Sequence, residues 1–210
     1  LVIGLGKGEN FVASDIPAII NYTRDTYILS DGELAIVTRD NVSVFDREGN
    51  AIHKEVFHVS WNAEAAEKGG YEHFMIKEIH EQPKVVGDTI NSVLTTDGKI
   101  DLSEVGLSEE EIKDIRQIHI VACGSAYHVG VATQYVMEDL ARIPVRVELA
   151  SEFRYRNPLL DEKDLVVLIS QSGETADTLA ALRESKARGV RTLAIVNVVG
   201  SSIAREADNV

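Results

Sequence analysis

Leu165-Val166-Val167-Leu168-Ile169-Ser170-Gln171-Ser172-Gly173-Glu174-Thr175 passes from an unbroken apolar run into a group of hydroxyls around one glycine. A strand that is apolar at every position has both faces covered, as in a parallel sheet. The helical pattern that follows, Glu174 to Arg188, is stopped by Gly189, and Thr192 to Val196 supplies another strand. The same grammar runs upstream. Ile118 to Cys123 reads as a strand, Gly124-Ser125 as a tight turn, and Ala126 to Arg142 as an amphipathic helix with Val129, Thr133, Val136, Met137 and Leu140 on one face. Val145 to Leu149 is a strand, and Ser151 to Arg156 a helical turn ahead of Pro158. Ser108-Glu109-Glu110-Glu111 has the form of a capping box. Strand alternating with helix predicts an α/β fold on a parallel sheet.

Toward the N-terminus the pattern changes. Leu1 to Leu5, Phe11 to Ala13, Tyr27 to Leu29, Leu34 to Val37 and Val42 to Phe45 are short strand-like runs. Asp31-Gly32, Asp40-Asn41 and Glu48-Gly49-Asn50 separate the later ones with turn residues, which predicts a hairpin meander. Asp15 caps a brief helix through Pro17 to Ile20. Ala63 to Gly70 is small, charged or flexible, and a domain boundary is expected near 65 to 75. One helix is predicted over Tyr71 to Gln82, broken or kinked by Pro83, and a second over Val85 to Leu94.

Length and composition bound the function. The chain has 210 residues, enough for one ordinary domain or two small ones, with 44% hydrophobic and 26% charged residues. Its net charge of −13 makes nucleic acid and anionic membranes poor partners, because binding there is driven by releasing counterions from phosphates. No apolar run reaches the roughly 20 residues that span a bilayer. The single cysteine, Cys123, excludes an internal disulfide and a multi-cysteine metal site, and fits a reducing, cytoplasmic compartment. The six histidines show no metal-binding spacing, so neither a metal nor another cofactor is expected.

Two strand-to-helix junctions carry the chemistry: Cys123-Gly124-Ser125 and Ser170-Gln171-Ser172-Gly173-Glu174-Thr175. Open α/β sheets bind ligands at the carboxyl ends of their strands. Hydroxyls and free N–H groups at a helix N-terminus cradle an anion, and Gly173 allows close backbone approach. No lysine follows as in a Walker loop, so a small phosphorylated metabolite fits better than a nucleoside triphosphate. The same residues also suit plain helix capping. Cys123 reads as a nucleophile or as a small apolar residue at a strand end, His119 as a strand residue, and His128 as packed, solvated or within reach of the first junction. Tyr135 and Tyr155 read as core or interface, and Arg154-Tyr155-Arg156 as local positive charge or a surface turn.

Several stretches together resemble the glutamine–fructose-6-phosphate aminotransferase family, the glucosamine-6-phosphate synthases. Ala150 to Arg156, Ser170 to Thr178 and Asn197 to Asp208 are similar to the first sugar isomerase (SIS) domain of that family. His73 to Pro83 is similar to its interdomain segment, and Gly8 to Asp15 to the late part of its glutaminase domain. The resemblance implies a β-rich remnant of an N-terminal-nucleophile glutaminase domain over 1–65, an interdomain linker and helices over 66–100, and a truncated, flavodoxin-like parallel-sheet SIS domain over 101–210. It implies transfer of the glutamine amide nitrogen to fructose 6-phosphate, giving glucosamine 6-phosphate and glutamate, in a homodimer assembled through SIS domains. Ser170, Gln171, Ser172 and Thr175 would hold the sugar phosphate, and Cys123, Gly124 and Ser125 would wall the sugar site. Where the family often has a second hydroxyl, this chain has Ala126. The catalytic residues would lie outside the chain: the glutaminase cysteine upstream of Leu1, the isomerase acid–base groups beyond Val210. The 210 residues alone are then expected to catalyse neither half-reaction. The rival readings are a SIS-domain sugar-phosphate sensor and a stand-alone phosphosugar isomerase.

Overall fold

The computed structural model describes residues 1–60 and 68–210, so Ala63 to Glu67 of the flexible stretch lie outside the described residues. The chain divides into two compact units, Leu1–Thr89 and Ile90–Val210.

In the first unit, β1 (Val2–Leu5), β2 (Asn10–Ala13), β3 (Asp25–Ile28) and β7 (Phe57–His58) form an antiparallel sheet in the order β2-β1-β3-β7. A separate meander joins β4 (Leu34–Val37), β5 (Val42–Phe45) and β6 (Ala51–Ile52). The short runs thus make two sheets, because β3 pairs back to β1 across Gly4↔Thr26 and not forward to β4. Val2, Ile16, Ile19, Ile20 and Val59 are the buried core of this unit. The predicted helix after Asp15 closes only as turns. Ala18 N–H donates to the Asp15 carboxylate, and the N–H groups of Ile19 and Ile20 both donate to the Ile16 carbonyl.

Residues 74–93 form one helix, α1 (Phe74–Val93), with Pro83 inside it. The expected break does not occur. Proline denies the Ile79 carbonyl its helical partner, but Ile79 is half exposed, so water can satisfy that carbonyl. Among the described side chains of α1 only Lys77 is buried, and the apolar Met75, Val86 and Ile90 stay exposed.

The second unit carries a four-stranded parallel sheet. Its strands are β8 (Gln117–Ala122), β9 (Val145–Leu149), β10 (Asp164–Ser170) and β11 (Arg191–Val196), in the order β11-β10-β8-β9. Helix α2 (Glu109–Asp114) opens with the predicted capping box: Ser108 Oγ accepts from Glu111 N, and the Glu111 carboxylate accepts from Ser108 N. Helix α3 (Gly124–Ala141) covers one sheet face, where Ile118, Ile120, Val145, Leu165 and Val167 are buried and Met137 packs. Helices α4 (Ala150–Tyr155), α5 (Ala176–Ala187) and α6 (Ser202–Glu206) lie on the other face, over Val121, Val166, Leu168 and Ala194. Fully burying each large apolar side chain there contributes about 1.5–3 kcal/mol.

The face of α3 predicted to be apolar is only partly covered, with Met137 packed toward the sheet. Val129, Val136 and Leu140 are exposed, and Gly130 is the buried residue. A Cβ on Gly130 would come within 2.8 Å of Ile120 and 2.9 Å of Val147, so the helix approaches the sheet through its smallest residue. Tyr135 and Tyr155 are exposed as well, not core.

One cluster of charge is built into the sheet. His119, fully buried in β8, lies 3.6 Å from Glu148 of β9 and 3.4 Å from Asp164 of β10, with Gln117 at 3.1 Å and Phe153 edge-on. Arg156 holds Glu148 through both carboxylate oxygens. Burial pushes the Glu148 carboxyl up, but Arg156 and His119 together outweigh it and hold the group below the ordinary carboxylate range.

Candidate functional site

The two junctions singled out in the sequence end adjacent strands. β8 is the first strand of the sheet and has β9 on one side and β10 on the other, so the chain reverses its direction of winding between β8 and β10. Doubly wound sheets leave a crevice outside the carboxyl ends of the strands at such a point. Both junctions open into it.

At the β10 end the hydroxyls are gathered by hydrogen bonds. Ser170 Oγ, buried at the last position of the strand, accepts from the Gly173 N–H at 3.1 Å and shares a hydrogen bond with Thr175 Oγ1 at 3.0 Å. Ser172 Oγ accepts from the Glu174 N–H at 3.2 Å. Gly173 closes the turn at φ 67°, a conformation that glycine alone adopts without strain. Thr175 is the N-cap of α5, and the first N–H groups of that helix point out of its end without intrahelical partners. The Gln171 side chain is exposed beside them. Ser170, Ser172 and Thr175 are therefore brought together, as the motif suggested.

At the β8 end, helix α3 begins at Gly124 itself, two residues earlier than expected, with Gly124 at φ 55°. Cys123 is its N-cap residue and is partly buried. Thr178 of α5 donates to Cys123 Sγ at 3.9 Å, which sets the first junction against the opening turns of the helix that follows the second. Ser125 stands exposed in the first turn of α3, with Ala126 next to it.

Two carboxylates border the cradle, and each has a partner. Arg154 binds Asp177 at 2.8 Å, and the Ser202 N–H donates to Glu174 at 2.7 Å. These contacts blunt the repulsion that free carboxylates would exert on an anion. Positive charge at the site comes from N–H groups and a helix dipole, and not from a lysine or arginine of the loop. The arrangement is suited to hold a small anion with hydroxyls around it. Among the described residues no group of three or more His, Cys, Asp or Glu is placed to hold a metal ion, and no helix is long and apolar enough to cross a membrane.

The support of the loop was not legible in the sequence. Asn197 N–H donates to the Gln171 carbonyl at 3.2 Å, and Ile203 N–H to the Gly173 carbonyl at 3.0 Å. Arg154 and Arg156, left open between local charge and surface turn, are both paired within the unit. These contacts join residues far apart in the chain and leave no local periodicity; only the single Gly-Ser-Ser at 200–202 marks the supporting segment.

The family model for the SIS domain matches residues 111–210. Over all 210 residues the chain is 58% identical to a glutamine–fructose-6-phosphate aminotransferase (isomerizing) of Clostridium tetani, and over 211 aligned residues 50% identical to that of Methanosarcina acetivorans. It spans about a third of the length of each, 34%. The C-terminal domain of the glucosamine-fructose-6-phosphate aminotransferase from Francisella tularensis superposes with a TM-score of 0.62 at 46% identity, covering 68% of this chain and 39% of that one. Residues 111–210 match the SIS domain and carry its parallel-sheet α/β fold, in a chain similar along its whole length to one third of the glutamine–fructose-6-phosphate aminotransferases.

Proposed function

We propose that this chain provides the sugar-phosphate-binding part of an enzyme that transfers the amide nitrogen of glutamine to fructose 6-phosphate, giving glucosamine 6-phosphate and glutamate. The observation that carries this is the gathered hydroxyl cradle Ser170–Thr175 at the N-terminus of α5, facing the crevice between β8 and β10. In this reading Ser170, Ser172 and Thr175 turn their hydroxyl protons onto the phosphate, helped by Gln171 and the α5 dipole. Cys123, Gly124 and Ser125 form the neighbouring wall against the sugar. Ala126 offers the sugar a methyl where a hydroxyl would have donated. The protein's own residues thus bind and orient the substrate, and the phosphate serves as the handle.

The same reading assigns residues 1–65 to the late part of a glutaminase domain, 66–100 to the connection and 101–210 to the first SIS domain, in a cytoplasmic protein. Glutamine is then a substrate of the whole protein. A homodimer through SIS domains would use the exposed Val129, Tyr135, Val136 and Leu140 of α3. The sensor and stand-alone isomerase readings draw no support from relatives matched over the whole chain, which carry the aminotransferase name. Calorimetric titration tests the proposal. Fructose 6-phosphate is expected to bind, inorganic phosphate to bind more weakly and compete with it, and neutral fructose not to bind. Fructose binding as tightly as its phosphate would remove the cradle from the reading.

A further inference from the structure

We infer that Ser201 is a positioning residue for the phosphate loop, acting through Gly173; this rests on the sugar-phosphate reading above. Ser201 is the N-cap of α6, yet its side chain makes no capping hydrogen bond. Its hydroxyl is buried, with the residue 4% exposed, and has no hydrogen-bond partner among the described residues. A buried, unpaired hydroxyl is a cost that a capping serine ordinarily avoids by accepting from its own helix. Here the side chain fills the space left by the missing side chain of Gly173: a Cβ built on Gly173 would overlap both the Ser201 hydroxyl and its Cβ.

The surrounding contacts make this packing directional. Ile203 N–H holds the Gly173 carbonyl at 3.0 Å, Asn197 N–H holds the Gln171 carbonyl at 3.2 Å, and Ser202 N–H holds the Glu174 carboxylate at 2.7 Å. Three backbone donors of one segment pull the loop toward it, while Ser201 sets how close the loop can come. That balance fixes Gly173 at φ 67° and, through the Gly173 N–H on Ser170 Oγ, the place of the first phosphate-binding hydroxyl. The segment 197–203 also keeps the Glu174 charge bound to a donor where a sugar phosphate would otherwise meet it.

The test is a double-mutant cycle in the whole chain, reading fructose 6-phosphate affinity by calorimetry and, separately, the thermal midpoint without ligand. Gly173→Ala is expected to weaken binding about ten-fold or more, because a Cβ strains the left-handed backbone and meets Ser201. Ser201→Gly, which removes the opposing atoms, is expected to weaken binding by itself but to restore at least about three-fold when combined with Gly173→Ala. Ser201→Ala, which keeps the Cβ and the fold, is expected to weaken binding about three-fold while holding or raising the thermal midpoint, since it removes an unpaired polar group. A purely structural serine would do the opposite, lowering the midpoint and sparing affinity, and that result overturns the inference. So does a double variant no better than the product of the two single effects, while the unmodified chain still binds. If the unmodified chain binds neither fructose 6-phosphate nor inorganic phosphate, the sugar-phosphate reading falls and takes this role with it.

Discussion

Replacing Ser170 and Ser172 by alanine, one at a time, separates folding from binding within a single loop. Ser170 is 4% exposed, and its Oγ is the acceptor for the buried Gly173 N–H at 3.1 Å. Ser170→Ala leaves that donor without a partner in a place water does not reach, at a cost of about 1–3 kcal/mol. With about 2 kcal/mol lost, a chain of this size melts roughly 4–8 °C lower. Ser172 is half-buried, and its Oγ accepts from the Glu174 N–H at 3.2 Å in an exposed setting. Water replaces it there, so Ser172→Ala shifts stability by no more than about 0.5 kcal/mol. Affinity behaves differently. In the proposed sugar-phosphate reading each serine donates to a charged phosphate, and losing either donor removes about 1.5–3 kcal/mol, or roughly 10- to 150-fold in Kd. Differential scanning calorimetry gives the midpoints and titration with fructose 6-phosphate gives the affinities. The reasoning is refuted if Ser172→Ala lowers the midpoint as far as Ser170→Ala and leaves fructose 6-phosphate binding unchanged.

Gly130→Ala sets helix propensity against packing: alanine gains about 1 kcal/mol in the helix, but its Cβ meets Ile120 and Val147 at 2.8 and 2.9 Å, and overpacking costs about 1–3 kcal/mol. A net loss is expected in urea denaturation, and a stabilised variant would show that α3 is free to lift from the sheet. His119→Ala empties a fully buried site and leaves Glu148 and Asp164 facing the void, so a loss of about 2–5 kcal/mol is expected; a loss under about 1 kcal/mol would mean that water takes the place of the ring. Glu148 titrates below its unfolded value, so its contribution is present above the unfolded carboxylate pKa of about 4.3 and is lost as pH falls through the folded value. Glu148→Gln is therefore expected to be less stable at neutral pH and to lose less stability on acidification below about pH 4.3. An acid limb of the stability curve identical to that of the unmodified chain would dismiss the Arg156–Glu148 pair as its source.

Much of the second unit is written locally. The apolar runs at 118–122 and 165–169 are strands because both of their faces are covered, and the Ser108 box starts its helix as its spacing requires. The hydroxyl cluster after Ile169 was legible for the same reason: its residues bond mostly within the loop itself. The errors arise where a distant contact decides. Val129, Val136 and Leu140 share an apolar face with Met137 in the sequence yet stay exposed, because the sheet accepts α3 at Gly130, where only a residue without a Cβ fits. Pro83 looked like a stop because its cost is local, while the solvent that relieves it is not encoded nearby. Asn197, Ser202 and Ile203 hold a loop that precedes them by a whole helix and strand, and no spacing rule announces such a bond.

The buried charge between β8, β9 and β10 has a consequence for how the sheet assembles. Parallel strands made of valine, isoleucine and leucine are nearly interchangeable along their length, and hydrophobic gain alone distinguishes poorly between neighbouring alignments. Glu148 is paired with Val121 and Asp164 with Gln117, so both carboxylates project on the face that His119 shares. A slip of one residue would turn either carboxylate to the opposite face among Ile118, Ile120 and Val145, and would strand the imidazole in hydrocarbon. Misaligned sheets are penalised by electrostatics where packing would have tolerated them. The cluster acts as an alignment mark, fixing which residues end the strands together, and so where Cys123 and Ser170 stand when the crevice forms.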